Sequence, residues 1–213
     1  EYVLACVLNR WQRFDLRMED QQSQRWVARD FKEMLGSKWL IIGFGNIGQL
    51  IATQLSGFGA RVTAIRRQVT AHKYAEVVDE LANVSDYLSQ ADVVVLACPL
   101  NDATQGLVDA DFLAKMKSDA VLVNIARGPV VDEAALCKAL DAEQIDYAVL
   151  DVFDNEPLPK DSPLWAHDRV MVTAHASNRG SATDQRGDEL FLDNLSRFLN
   201  DLPMRNLVTS ASF

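Results

Sequence analysis

The chain has 213 residues, 48% hydrophobic and 24% charged, which is the composition of an ordinary globular protein with length for a full core. Its 21 Lys and Arg against 30 Asp and Glu leave a net charge of −9, which repels a phosphate backbone and argues against general nucleic-acid binding. No apolar run approaches the roughly 18 residues of a membrane span, the opening residues carry no signal-peptide pattern, and three scattered cysteines (Cys6, Cys98, Cys137) read as buried free thiols of a reducing cytoplasm.

The chain begins with Glu1 and enters at once an apolar helical stripe of Tyr2, Leu4, Ala5, Val7, Leu8 and Trp11. Arg13 to Arg29 is polar and Gln-rich without Pro or Gly, and reads as a continuing or second helix. After a turn at Gly36-Ser37, the bounded apolar run Trp39 to Ile42 reads as a buried strand. A helix is expected over Ile47 to Phe58, ended by Gly57 or Gly59, then a strand over Arg61 to Ile65. Tyr74 to Gln90 holds helical pieces. Strands follow at Asp92 to Ala97, Ala120 to Ile125, Asp146 to Val152 and Val170 to Thr173. Helices are expected at Asp111 to Lys117, Asp132 to Ala142 and Gly180 to Leu199. Alternating helices and apolar strands predict an α/β fold, a doubly wound parallel six-stranded Rossmann sheet with flanking helices. The expected divisions are helices over 1–35, a dinucleotide-binding domain over 36–180, and a C-terminal helix and tail over 181–213.

Gly43-Phe44-Gly45-Asn46-Ile47-Gly48 is a G-x-G-x-x-G. The pattern says little alone, but here it follows an expected strand and opens an expected helix, the context of a dinucleotide site. Gly43 permits the turn, Gly45 lets a pyrophosphate approach, Gly48 lets helix and strand pack, and the helix N-terminus offers N–H groups to the anion. NAD binders place an acid after the second strand to hold the ribose 2′-OH. Here that place reads Ala64-Ile65-Arg66-Arg67-Gln68, with no acid. Two guanidiniums suit a 2′-phosphate, so NADP(H) is expected over NAD(H).

Three further stretches follow expected strands, at the end of the sheet where ligands bind: Asn124 to Pro129, Asp151 to Leu158, and Val172 to Asn178. With the glycine loop, Pro99 to Thr104, Gly106-Leu107 and Ser162 to Trp165, these stretches resemble the D-isomer-specific 2-hydroxyacid dehydrogenases from Glu1 to about Val208. The opening residues, the Gln-rich segment and the arginine pair are similar to the glyoxylate/hydroxypyruvate reductase branch.

The resemblance implies a fold, a reaction and a set of roles. Arg127 would hold the carboxylate of a 2-oxo acid, whose geometry a guanidinium fork matches. His175 would be the acid/base, since imidazole titrates near neutrality. Glu156 would bond its far nitrogen and fix its tautomer. Asp151 would approach the nicotinamide side, and Pro99, Thr104, Ile125 and the Asn46-Ile47 amides would line the cofactor. The implied reaction passes a hydride from nicotinamide to the keto carbon while His175 donates a proton, giving a D-2-hydroxy acid. The family often has a Gly shortly after the histidine, where this chain reads Ala176-Ser177-Asn178-Arg179-Gly180, and Asn is suited to the unusual backbone angles of such a turn. The resemblance also implies a homodimer through cofactor domains, a small 2-oxo or 2-hydroxy acid as partner, no metal, and a preceding segment that forms most of a substrate domain. The alternative reading is an NADP-binding dimeric module, a corepressor-like sensor without turnover. His72 and His167 are read as surface residues.

Overall fold

A computed structural model describes residues 1–207. The chain divides into two compact units, Glu1–His175 and Ala176–Phe213.

The first unit is built on a seven-stranded, wholly parallel sheet in the order β3-β2-β1-β4-β5-β6-β7. Its strands are β1 (Lys38–Ile42), β2 (Arg61–Ile65), β3 (Val77–Asp79), β4 (Val93–Leu96), β5 (Val121–Asn124), β6 (Tyr147–Leu150) and β7 (Val170–Val172). The helices are α1 (Tyr2–Gln12), α2 (Phe14–Gln22), α3 (Asn46–Ser56), α4 (Ser85–Leu88), α5 (Ala110–Lys115) and α6 (Glu133–Asp141). Side chains alternate across a strand, so Leu40 and Ile42 enter one core while Trp39 and Ile41 enter the other. One core lies against α4, α5 and α6, through Leu88, Phe112, Leu113 and Leu136. The other lies against α1 and α3, through Val3, Val7, Trp11, Ile51 and Leu55. Aspartates start two of the helices: Asp109 accepts from the Phe112 amide and Asp132 from the Ala135 amide.

Some expectations change. The strand count is seven, not six, because Val77–Asp79 pairs with Thr63 to Ile65 at the sheet edge. β3 offers only Val77 and Val78 before Asp79, too short an apolar run to read as a strand. The polar segment after α1 is a second helix, separated by Arg13 in a left-handed conformation (φ 53°) and ending at Gln22. The stripe of α1 packs on its own sheet: Trp11 is buried edge-on to Trp39 at 6.2 Å between ring centroids, with Tyr2 and Leu8 beside it, while Ala5 is exposed. All three cysteines are free, Cys6 and Cys98 buried and Cys137 half-buried. Neither His72 nor His167 is a surface residue; both are half-buried.

The second unit holds α7 (Thr183–Leu199). Asp193 and Arg197 pair one turn apart at 2.9 Å, and Asn194 exchanges two hydrogen bonds with the backbone of Arg205. No described helix is long and apolar enough to cross a membrane.

Candidate active site

Parallel register decides which loops meet. Ile42, Leu96, Asn124, Leu150 and Val172 are successive partners across β1, β4, β5, β6 and β7. Each stands at the C-terminal end of its strand, so the segments that follow emerge along one edge. Neighbouring strands lie about 4.8 Å apart. The sequence order reverses between β1 and β4, which opens the crevice where such sheets bind ligands.

The glycine loop leaves β1 at this crevice. Gly43 has φ +98°, and a Cβ there would lie 2.4 Å from the backbone of Ala97 and Cys98. A Cβ on Gly48 would lie 2.4 Å from the Gly43 carbonyl oxygen. At Gly45, by contrast, nothing lies within 4 Å of an added Cβ. Gly45 precedes the first turn of α3 without a side-chain cap, and Asn46 and Ile47 are exposed. The loop therefore offers open space in front of uncapped helix N–H groups, which fits a pyrophosphate. Arg66 and Arg67 follow β2; Arg66 is half-buried, Arg67 is exposed, and neither makes an ion pair with a described residue. The acid nearest in register, Asp79 opposite Ile65, is engaged: its carboxylate accepts from the Tyr87 hydroxyl at 2.6 Å and from the Asn83 amide at 2.9 Å. The Tyr87 bond, with the others, holds the Asp79 carboxyl below its usual range.

Thr104 is buried in the loop after β4. Its hydroxyl donates to the Pro99 carbonyl at 2.7 Å and accepts from the Asn101 amide at 2.9 Å. Thr104 thus shapes the loop that presents the exposed Pro99. Ile125, half-buried after β5, anchors its amide on the Leu96 carbonyl.

Arg127 is exposed and makes no ion pair among the described residues. Its Nη1 donates to the carbonyl of Ala126 at 2.6 Å. The turn that carries it is held by Asn124, a residue whose role the sequence did not disclose. Asn124 is 1% exposed; its Nδ2 donates to the Arg127 carbonyl at 3.0 Å and its Oδ1 accepts from the Ala126 amide at 3.0 Å. A lone Asn at the end of an apolar strand was the available signal, since a buried amide must find partners. The same turn presses on the loop after β6: a Cβ on Gly128 would lie 1.9 Å from the carbonyl carbon of Phe153.

That second loop carries Glu156. Its Oε1 accepts from the Phe153 amide at 2.9 Å, and its Oε2 lies 2.7 Å from His175 Nδ1. The bond to His175 is the largest influence on the carboxyl and lowers its pKa. His175, just past β7, has φ 48°, in the left-handed region. Such a conformation costs about 1–3 kcal/mol and persists where surroundings hold it. Here the His175 amide donates to the Asp151 carbonyl at 2.8 Å while the ring is held by Glu156. The unusual backbone angle thus falls on the histidine itself and not on Asn178. Asp151, directly after β6, is fully buried. The described residues contain no cluster of metal-ligating side chains.

The structure therefore brings Glu156 and His175 into contact and puts Gly43 to Gly48, Pro99, Thr104, Ile125, Arg127 and Asp151 on the same sheet edge. Residues 4–177 match the family model described as D-isomer specific 2-hydroxyacid dehydrogenase, NAD binding domain. Over 193 residues, 89% of the chain, it is 35% identical to a D-3-phosphoglycerate dehydrogenase of Mycobacterium tuberculosis and spans 36% of that protein. It is 38% identical to the human glyoxylate reductase/hydroxypyruvate reductase over 165 residues, 77% of the chain and 50% of the relative. The chain thus spans half or less of the length of these two relatives. A crystal structure of a D-isomer specific 2-hydroxyacid dehydrogenase from Xanthobacter autotrophicus Py2, in complex with NADPH and MES, superposes with a TM-score of 0.86 at 33% identity, covering 98% of this chain and 85% of that one.

Proposed function

The chain belongs to the D-isomer-specific 2-hydroxyacid dehydrogenase family, and from that premise we propose that the protein reduces a small 2-oxo acid of the glyoxylate or hydroxypyruvate kind to a D-2-hydroxy acid, with NADP(H). The observation that carries this reading is the 2.7 Å contact between Glu156 and His175, on the sheet edge that also carries the glycine loop and Arg127.

When bound, the nicotinamide supplies or accepts the hydride. The chain's own residues do the rest. Arg127 holds the substrate carboxylate; its exposed guanidinium has no competing acid among the described residues. Glu156 occupies Nδ1 of His175, so Nε2 is the nitrogen that gives a proton to the carbonyl oxygen in reduction and takes it back in oxidation. Gly45, Asn46 and Ile47 would cradle the pyrophosphate beside Pro99 and Thr104, Ile125 would lie alongside the cofactor, and Asp151 would stand toward the nicotinamide side. Arg66 and Arg67 bind the 2′-phosphate, which makes NADP(H) the preferred cofactor; the Xanthobacter relative with bound NADPH supports this choice. A homodimer through this part of the chain draws support from exposed Trp26, Val27, Phe31 and Leu35 between α2 and β1.

The test is a panel of 2-oxo acids with NADPH and NADH, run on the protein with the segment that precedes this region in its relatives. Turnover of glyoxylate or hydroxypyruvate with NADPH is expected. His175→Ala should lower kcat by about 10²–10⁴-fold while NADPH affinity stays. No turnover of any 2-oxo acid by the parent protein would remove the proposal.

A further inference from the structure

β5 is apolar until its last residue, where Asn124 follows Val121, Leu122 and Val123 into the buried sheet. A carboxamide carries two N–H donors and one accepting oxygen, and at such a place both ends need partners. Asn124 finds them two and three residues further on. Its Oδ1 accepts from the Ala126 amide and its Nδ2 donates to the Arg127 carbonyl, each at 3.0 Å. The side chain fits only this way round, since the reverse would set N–H2 against an N–H and oxygen against a carbonyl.

The peptide unit that joins Ala126 to Arg127 lies between these two anchors. A peptide unit is planar, so holding the amide before it and the carbonyl after it also sets the direction of its own carbonyl. That carbonyl, of Ala126, accepts from Arg127 Nη1 at 2.6 Å. The guanidinium is rigid and planar as well, so a fixed acceptor on Nη1 turns the whole group. Nε and Nη2 make no hydrogen bond or ion pair with a described residue and are left as a fork for a carboxylate. The backbone alone adds only a longer bond, from the Val130 amide to the Arg127 carbonyl at 3.3 Å. An exposed arginine ordinarily samples many rotamers, and ordering them on binding costs affinity. Here part of that ordering is built in beforehand.

We propose that Asn124 is a positioning residue for substrate binding: through the Ala126 carbonyl it orients the Arg127 guanidinium, so that the Nε–Nη2 edge meets the carboxylate of the 2-oxo acid. This rests on the role given to Arg127 under the proposed function. The consequence is specific. Asn124 sets affinity for the carboxylate and leaves the dinucleotide alone, because Ile125 keeps its own anchor, its amide donating to the Leu96 carbonyl at 3.2 Å.

The experiment titrates oxamate, an unreactive analogue of a small 2-oxo acid, into the NADPH-saturated protein with the segment that precedes this region in its relatives. Asn124→Ala should raise the oxamate Kd about tenfold, the effect of one misaligned bond to a charged group. The KM for glyoxylate should rise in step, with kcat within about threefold and the NADPH Kd within about twofold. Arg127→Ala should raise the oxamate Kd at least about a hundredfold, and adding Asn124→Ala to it should change the value less than about twofold further, because the two act as one unit. Equal weakening of oxamate and NADPH, or a tenfold effect of Asn124→Ala that persists without Arg127, gives Asn124 a structural role only and overturns the proposal. Unchanged oxamate binding by Asn124→Ala removes it outright. If Arg127→Ala itself leaves oxamate binding intact, the reading of Arg127 falls; if only the Asn124 variants do, the positioning role alone falls. Should Asn124→Ala not fold, Asn124→Ser carries the same comparison with an expected rise of about threefold, since a hydroxyl both accepts and donates.

Discussion

Gly128 is where the substrate-binding arginine and the acid/base pair are held in common register. A Cβ at this position would lie 1.9 Å from the Phe153 carbonyl carbon, 2.1 Å from its oxygen and 2.3 Å from the Asp154 nitrogen. All three are backbone atoms, so no side chain can swing aside. Reaching an ordinary contact of 3.4 Å requires the two loops to part by 3.4 − 1.9 = 1.5 Å. One loop carries Arg127 and the other carries Glu156, whose Oε1 is pinned to the Phe153 amide itself. A displacement of about 1 Å from productive geometry costs on the order of 10²-fold in rate. Gly128→Ala should therefore lower kcat/KM at least about a hundredfold, equivalent to about 2.7 kcal/mol of transition-state stabilisation. Overpacking should also cost about 1–3 kcal/mol of folding stability. The dinucleotide loop after β1 is separated from β5 by β4, so the Kd for NADPH should change by less than about threefold. Steady-state kinetics, fluorescence titration of NADPH and a thermal melt measure the three quantities. A folded variant with kcat/KM within a few fold of the parent would refute the reasoning, as would a parallel collapse of cofactor binding.

Replacing Arg66 and Arg67 by Ala should raise the NADPH Kd by at least about tenfold with little change for NADH, two charge-assisted contacts being lost; equal effects on both cofactors in a titration would sink the 2′-phosphate assignment. The Glu156 carboxyl is lowered by its bond to His175, so the stability it lends is complete above the ordinary carboxylate value of about 4.3 and is lost as pH falls through the lowered one. Thermal midpoints of the parent and of Glu156→Gln should accordingly differ near neutrality and converge in acid below about pH 4; a gap that widens on acidification contradicts the pairing. Burial pushes the Cys98 thiol up to about 11 and also raises Cys6 and Cys137, so a thiol-titrating reagent at pH 8 should react slowly with the native protein and reach all three only on unfolding. Fast stoichiometric labelling of Cys98 in the native state would count against its burial. Trp26→Ala should shift the protein toward monomer in light-scattering measurements if the exposed patch between α2 and β1 joins two copies; an unchanged mass disposes of that reading.

Much of this fold is legible because its signals are local. A central strand buried on both faces shows as a continuous apolar run, which is why β1, β2, β4, β5 and β6 stand out in the sequence; of the two edge strands, β7 still shows as the apolar Val170 to Val172, while β3 runs into Asp79 and does not. The glycine loop is legible for a similar reason, since turn, close approach and helix start are all demands on adjacent residues. Arg127, Glu156 and His175 were reachable as candidates because each follows a strand and matches a family motif.

What the sequence by itself determined is thus the strands, the helices and the residue types waiting at the strand ends. Only the tertiary structure decided which of those residues meet. Parallel register, not sequence spacing, lines up Asn124, Leu150 and Val172 and so brings Glu156 to His175. It also put the left-handed backbone on His175, turned Asn124 inward to hold the Arg127 turn, and drew the α1 stripe onto its own sheet. The hydroxyl of Tyr2 finds Thr173 across 171 positions. Periodicity records whether a side chain is buried; what it is buried against is fixed by strand order and twist, which no window of neighbouring residues contains.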